Sequence, residues 1–312
     1  MSVKIGVSGS SVAAREGRET FLRYIDALEE LDWDSVWFSD RIVGAAWRMD
    51  PLVGMAITVG RTEHLKFGTS VLIMSVRSPV TTARALATIE MMAPGRLVVG
   101  VGVGQESPLE YEAMGVRKRD RGKRLDEAIV LMRRFWEEDK ITYESDFIKL
   151  TDASIPVKPS RPNLPVWIGS RAEAGLRRTG YLGTGWLPTQ MLPDEIRAGI
   201  KRINEYAAEA GRVIPSDHFG LQVSSYVVEN GKVPRYIKEK YLLQRRTDAT
   251  PEQINLIGTP DEIIARMKEY IDAGATKFVF NPACGADELF EQLELQGKLL
   301  VQPFHQKLIP LD

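Results

Sequence analysis

Short runs of β-branched and aromatic residues alternate along the chain with stretches in which apolar residues recur every three or four positions. The runs at 4–8, 35–39, 66–72, 97–103, 166–169, 184–187, 218–228 and 277–280 are β-branched or aromatic-rich, and most are nearly continuous in apolar character. Strands covered on both faces have that character. Between them, Phe21, Leu22, Ile25, Leu28 and Leu31 form one helical stripe, and Ile263, Ile264, Met267 and Ile271 another. Eight strands separated by helices predict an α/β fold, a (β/α)8 barrel, with a doubly wound sheet as the runner-up.

The helices carry punctuation. Ser78-Pro79 fits an N-cap followed by proline in the first turn, and Gly95 closes the helix it starts. Thr259-Pro260-Asp261-Glu262 reads as a capping box, with Gly274 as the left-handed terminator. Three connections are long, at 104–120 and 139–165 around the helix after strand 4 and at 230–258 after strand 7. Long loops in compact domains are commonly binding segments or lids. No repeat or linker divides the chain, so residues 1–312 are expected to form a single domain.

Composition narrows the function. The 312 residues hold 41 Lys+Arg and 42 Asp+Glu, a formal net charge of −1, which gives no global reason for a nucleic-acid or anionic-membrane partner. The longest uncharged run, 179–193, has 15 residues and is broken by glycine and proline, too short for a membrane span. A single cysteine makes no intrachain disulfide, the N-terminus reads as a strand rather than a signal peptide, and a cytoplasmic location is expected. The three histidines, His64, His218 and His305, form no metal-binding pattern, so no metal is expected.

In such a barrel the chemistry sits at the C-terminal strand ends. That rule selects Asp40-Arg41 after strand 2, Ser70-Val71 at the end of strand 3, Gly104-Gln105-Glu106 after strand 4, Gly169-Ser170-Arg171 after strand 5 and Asn281 to Cys284 after strand 8. His64 and His218 fall at the opposite face and His305 in the tail. In strand 4, Gly100, Gly102 and Gly104 alternate with valines and so share one face. Two readings stay open for them, clearance for a flat ligand or a tight barrel interior. Gly169-Ser170-Arg171 leads into a helix and reads either as a phosphate cradle or as an ordinary helix start. The segment 117–124 holds six cations and one anion, a solvated face or a site for an anionic tail. Glu106 is an acid–base candidate or an exposed loop carboxylate, Trp47 a substrate wall or a loop anchor, and Cys284 a buried small hydrophobe rather than a nucleophile.

These residues resemble the bacterial luciferase-like flavin and deazaflavin oxidoreductases. The match runs through Asp34-Ser35-Val36-Trp37-Phe38-Ser39-Asp40, Phe67-Gly68-Thr69-Ser70-Val71 and Pro94-Gly95-Arg96-Leu97-Val98-Val99-Gly100-Val101-Gly102-Val103-Gly104. It continues through Pro165-Val166-Trp167-Ile168-Gly169-Ser170, Gly183-Thr184-Gly185-Trp186-Leu187-Pro188 and Ile257-Gly258-Thr259-Pro260-Asp261-Glu262, and ends at Ala273-Gly274-Ala275. The resemblance implies a TIM barrel with an isoalloxazine-type ring across the strand ends. Ser39-Asp40 looks more like the branch using the deazaflavin coenzyme F420 than the FMN branch.

By that likeness Asp40 contacts the ring, and Ser70-Val71 lies behind it at a bulge with a non-prolyl cis peptide. Gly104 and Gln105 border the ring, while Gly169, Ser170 and Arg171 hold the phosphate. Deazaflavin relatives usually carry His after that Asp, and this chain has Arg41, which orients or stabilises charge but is no base. Glu106 is then the nearby proton donor. The expected activity is hydride transfer between F420 and a small organic substrate, in a homodimer. The alternatives are an FMN-dependent monooxygenase using O2 and a cofactor-binding protein without turnover.

Overall fold

Residues 3–104, 108–228, 232–242, 246 and 248–306 are described by a computed structural model. Their strands are β1 (Lys4–Val7), β2 (Ser35–Phe38), β3 (Lys66–Thr69), β4 (Leu72–Ile73), β5 (Leu97–Gly102) and β6 (Ile141–Glu144). They continue as β7 (Lys149–Ala153), β8 (Val166–Ile168), β9 (Gly185–Trp186), β10 (Gly220–Val227), β11 (Leu256–Gly258) and β12 (Lys277–Pro282). The main sheet runs β11-β10-β12-β1-β2-β3-β5-β8-β9 with every pairing parallel, and β4 adds to β5. Parallel bridges from Trp186 to Phe219 and from Thr189 to Gln222 join β9 to β10. The sheet thereby closes into the expected α/β barrel, the eight predicted strands in order around it. β11 extends the second half of β10.

Alternation along each strand separates two apolar layers. Outward residues such as Ile5, Val36, Phe67, Val99 and Ile168 pack in the core shared with the surrounding helices. Inward residues Trp37, Trp167, Leu187 and Val279 form a separate cluster inside the barrel. Below it, Lys277 is bound by Asp34 and donates to Ser35 Oγ at 2.7 Å, which also accepts from Trp37 Nε1 at 2.8 Å. The base of the barrel is therefore a polar plug beneath an aromatic floor.

Burial alone would push the Asp34 carboxyl up, but Lys277 and Lys66 outweigh it and hold it well below the usual carboxylate range. A depressed folded value means that the carboxylate's contribution is whole above the ordinary value of 3.8 and fades as pH falls through the lowered one. Urea midpoints followed downward from about pH 4 should therefore fall more steeply in the native chain than in Asp34→Asn.

Local features bear out some of the sequence reading and modify the rest. The strand expected at 66–72 is interrupted after Thr69, with a cis peptide between Ser70 and Val71, and resumes as β4. The connection at 104–120 contains a helix, Pro108–Ala113, and a 3-10 turn, Lys118–Asp120. The one at 139–165 contains the β6–β7 hairpin, and that at 230–258 the helices Arg235–Leu242 and Pro251–Ile254. Thr259 caps the helix Pro260–Asp272, accepting from Glu262 N, and Gly274 takes a φ of +105° after it. Ser78 precedes the helix Pro79–Met92 but contributes no side-chain cap.

Candidate active site

The inward faces of the strands build the mouth layer by layer. Register pairs Val279 with Gln222 and Asn281 with Ser224, so these four share one face of the sheet with Gly6, which also pairs with Val279. Val279 belongs to the interior cluster, so Gln222, Ser224 and Asn281 point into the barrel above it. Ser8 Oγ lies 3.5 Å from Asn281 Oδ1 and completes a polar rim on that side. Asn281 is exposed between buried neighbours, as a side chain at an open mouth is. Across the opening, alternation places Ser39 one layer above Trp37. A flat floor of aromatic and aliphatic carbon is thus ringed by hydroxyls and amides.

The cis peptide shapes the third side. Ser70 N donates to the Phe38 carbonyl at 2.8 Å, and Thr69 Oγ1 donates to the Gly100 carbonyl at 2.6 Å. A Cβ on Gly100 would lie 1.9 Å from the Thr69 carbonyl oxygen, and one on Gly102 would lie 2.6 Å from Val71 Cγ2. Gly169 also faces Val71, at 2.6 Å from Cγ1. These glycines give clearance to the bulge at 69–71, so at Gly100 and Gly102 the tight-interior reading holds. Gly104 takes a φ of +81° and a Cβ there would meet Ile73. Ser70 Oγ is buried at the bulge and has no partner among the described residues.

Asp40 follows β2 and is fully committed. Arg77 grips it bidentately, Nε at 2.8 Å and Nη2 at 2.7 Å, and the Ile73 N–H donates to it at 3.0 Å. Its side chain is 1% exposed. The same Arg77 reaches Asp50, which caps the helix Pro51–Val59. One guanidinium therefore ties the loop after β2 to the loop after β4. Arg41 is half-buried beside it, and Trp47 stands out into solvent with 45% exposure. Glu110, 1% exposed, accepts from the Ile42 N–H at 2.8 Å and anchors the same loop. Gln105 and Glu106 lie outside the described residues.

After β8, the Ser170 carbonyl accepts from Trp186 Nε1 at 2.7 Å and its Oγ accepts from Ala172 N at 3.2 Å, opening the helix Glu173–Leu182. Arg171 is exposed and donates to the Gln190 carbonyl at 3.2 Å. The basic segment opens the helix Arg121–Glu137, where Gly122 lies against Arg178 of the helix after β8. The cations and the positive end of the helix carry the same sign, so this end favours anions, although Arg117 is already paired with Asp120 at 2.6 Å. The histidines stand away from the mouth. His64 precedes β3, His218 Nδ1 contacts the Thr184 carbonyl at 2.7 Å below β9, and His305 lies beside Asp32. Cys284 is buried.

Sequence reasoning placed Asn281 at the mouth but missed Arg77, Glu110 and the rest of the inward polar row, Ser8, Gln222 and Ser224. The row had a signal, since Gln222 and Ser224 alternate with Leu221 and Val223 in β10. Arg77 had none, standing 37 positions from the carboxylate it holds.

The luciferase-like monooxygenase family model matches residues 1–231. The F420-dependent glucose-6-phosphate dehydrogenase of Segniliparus rotundus is 28% identical over 324 residues, covering 93% of this chain and 95% of that protein. The protein of the same description from Nocardia farcinica is 29% identical over 297 residues, covering 83% and 86%. Among solved structures, an F420-dependent secondary alcohol dehydrogenase in complex with an F420-acetone adduct superposes with a TM-score of 0.81 at 19% identity, over 98% of this chain and 99% of that one. At that identity the superposition establishes the barrel fold.

Proposed function

The chain belongs to the luciferase-like monooxygenase family, and on that premise we propose that it is an F420-dependent oxidoreductase acting on a small organic substrate. One observation carries the reading: the likeness to proteins described as F420-dependent runs over nearly the whole of both chains. The mouth supports it. Its aromatic floor, its rim of Ser8, Ser39, Gln222, Ser224 and Asn281, and the orphaned buried hydroxyl of Ser70 suit a flat ring with polar edges.

In this reading the coenzyme, when bound, supplies the hydride chemistry, and the protein supplies position and charge. Ser70, Val71, Gly104 and Gln105 lie against the ring, and Gly169, Ser170 and Arg171 hold the phosphate. The basic helix start at 117–124 accommodates the acidic tail that distinguishes F420 from FMN. Asp40, Arg41 and Glu106 form the proposed catalytic group, Asp40 as a fixed charge because Arg77 and the Ile73 N–H already hold both its oxygens, with Trp47 as substrate wall. Arg77 is a positioning residue that fixes Asp40. Residues 1–312 act as one barrel unit, as a cytoplasmic homodimer. No helix among the described residues is long and apolar enough to cross a membrane.

The reading is tested by oxidation of a panel of small alcohols and sugar phosphates with F420 as acceptor. Turnover supports it, and oxygen consumption with reduced FMN in its place supports the monooxygenase alternative. The same assay probes Arg41. Arginine stays charged throughout the accessible pH range, so Arg41→His should add an inflection near pH 6.5 to the kcat/KM profile that the native profile lacks. An unaltered profile would remove Arg41 from the catalytic group.

A further inference from the structure

We propose that a cavity outside the barrel, between the helices Pro79–Met92 and Arg121–Glu137 and the turn of the β6–β7 hairpin, is a second ligand site for a small carboxylate with an apolar or aromatic body. The cavity measures about 240 Å³ and is lined by Met74, Phe147 and Ile148 on its apolar side and by Arg77, Arg124 and Glu127 on its charged side. An apolar cavity of about 150 Å³ already accepts a benzene-sized ring, so this one has room for a ring and an acid group.

Arg124, the last cation of the segment proposed for the coenzyme tail, selects the charge here, which is why the titration is run without coenzyme. Its Nε donates to the Ser75 carbonyl at 2.9 Å, and its guanidinium carbon lies 5.1 Å from the centre of the Phe147 ring. Among the described residues it makes no ion pair. Glu127 accepts the hydroxyl of Ser145 and is not Arg124's partner. Arg77, on the same wall, is neutralised by Asp40 and Asp50, so Arg124 alone carries the attraction for an acid group. A guanidinium anchored through Nε leaves its terminal N–H groups for a carboxylate, the geometry in which arginine binds most strongly. A neutral ring in the same place would cover that guanidinium without pairing it, which is unfavourable. An inorganic anion would leave the Met74, Phe147 and Ile148 surface unfilled. The two halves of the lining therefore call for both features in one ligand.

The experiment is calorimetric titration of the purified protein, free of coenzyme, with benzoate, benzamide and inorganic phosphate as probes. Benzoate should give saturable binding at millimolar concentration, with benzamide and phosphate weaker by about tenfold or more. Arg124→Gln should weaken benzoate by about tenfold or more with an unchanged circular dichroism spectrum. Ala128→Leu, which fills the cavity from a buried wall position, should do the same. If Ala128→Leu does not fold, Arg124→Gln decides alone. The proposal is overturned by absence of saturable benzoate binding, by phosphate binding as well as benzoate, or by benzoate binding that survives Arg124→Gln.

Discussion

Arg77→Met is expected to cost about 3–5 kcal/mol of folding stability, the penalty for stranding one member of a buried ion pair. The Asp40 side chain is 1% exposed and takes both of its strongest bonds from that guanidinium. With Arg77 gone, the Ile73 N–H is the one hydrogen bond left to it among those found for the described residues, and the carboxylate stays buried without the guanidinium that balanced it. Asp50 also loses its contact, but that carboxylate is 43% exposed and keeps its capping bonds to Leu52 and Val53, so its share is small. Urea unfolding gives the measurement. The double variant Asp40→Asn/Arg77→Met should recover part of the loss, because the uncompensated charge is then removed. Equal midpoints for Arg77→Met and the native chain would show that the pair does not organise the loop after β2.

Gly100→Ala should be the most damaging of the glycine substitutions in β5. Alanine ordinarily improves a strand slightly relative to glycine, so any loss reports the local clash. The new Cβ would lie 1.9 Å from the Thr69 carbonyl oxygen, and backbone does not rotate away as a side chain does. Overpacking of this kind costs about 1–3 kcal/mol or more, and the displaced segment carries Ser70 and Val71 out of the mouth. For Gly102→Ala the one clash is with a methyl of Val71, at 2.6 Å, the next atom being the Gly169 carbonyl oxygen at 3.4 Å. Adding Val71→Ala should therefore rescue Gly102→Ala and leave Gly100→Ala unrescued. Rescue of both, or of neither, would contradict the packing described for the bulge.

Those two sites show what the sequence made legible and what it did not. The eight barrel strands were readable because most are covered on both faces, so apolar character runs through them almost without a break. The hairpin at 141–153 was not, because its residues are mostly exposed and its composition, with Thr142, Glu144, Ser145 and Asp152, looks like a loop. β11 spans three residues, too few for a period to show. The alternating glycines of β5 were visible, but their purpose was not, because what they make room for lies about thirty positions earlier. The position of the cis peptide came from family resemblance, since no local pattern of residues announces it. Arg77 illustrates the same limit: a lone arginine before Ser78-Pro79 says nothing about Asp40 until the barrel brings β2 and β4 together. The absence of histidine from the mouth was readable at once, because strand ends and strand starts are distinguishable in sequence.

The proposed function has this barrel mouth built for a deazaflavin with an acidic tail. Its most direct measurement is equilibrium binding of the coenzyme-free protein to F420 and to FMN in parallel, followed by fluorescence and repeated at raised salt. F420 is expected to bind at least about tenfold more tightly than FMN, with an advantage that shrinks as salt screens the 117–124 cluster. Tight FMN binding with no measurable F420 binding would contradict it.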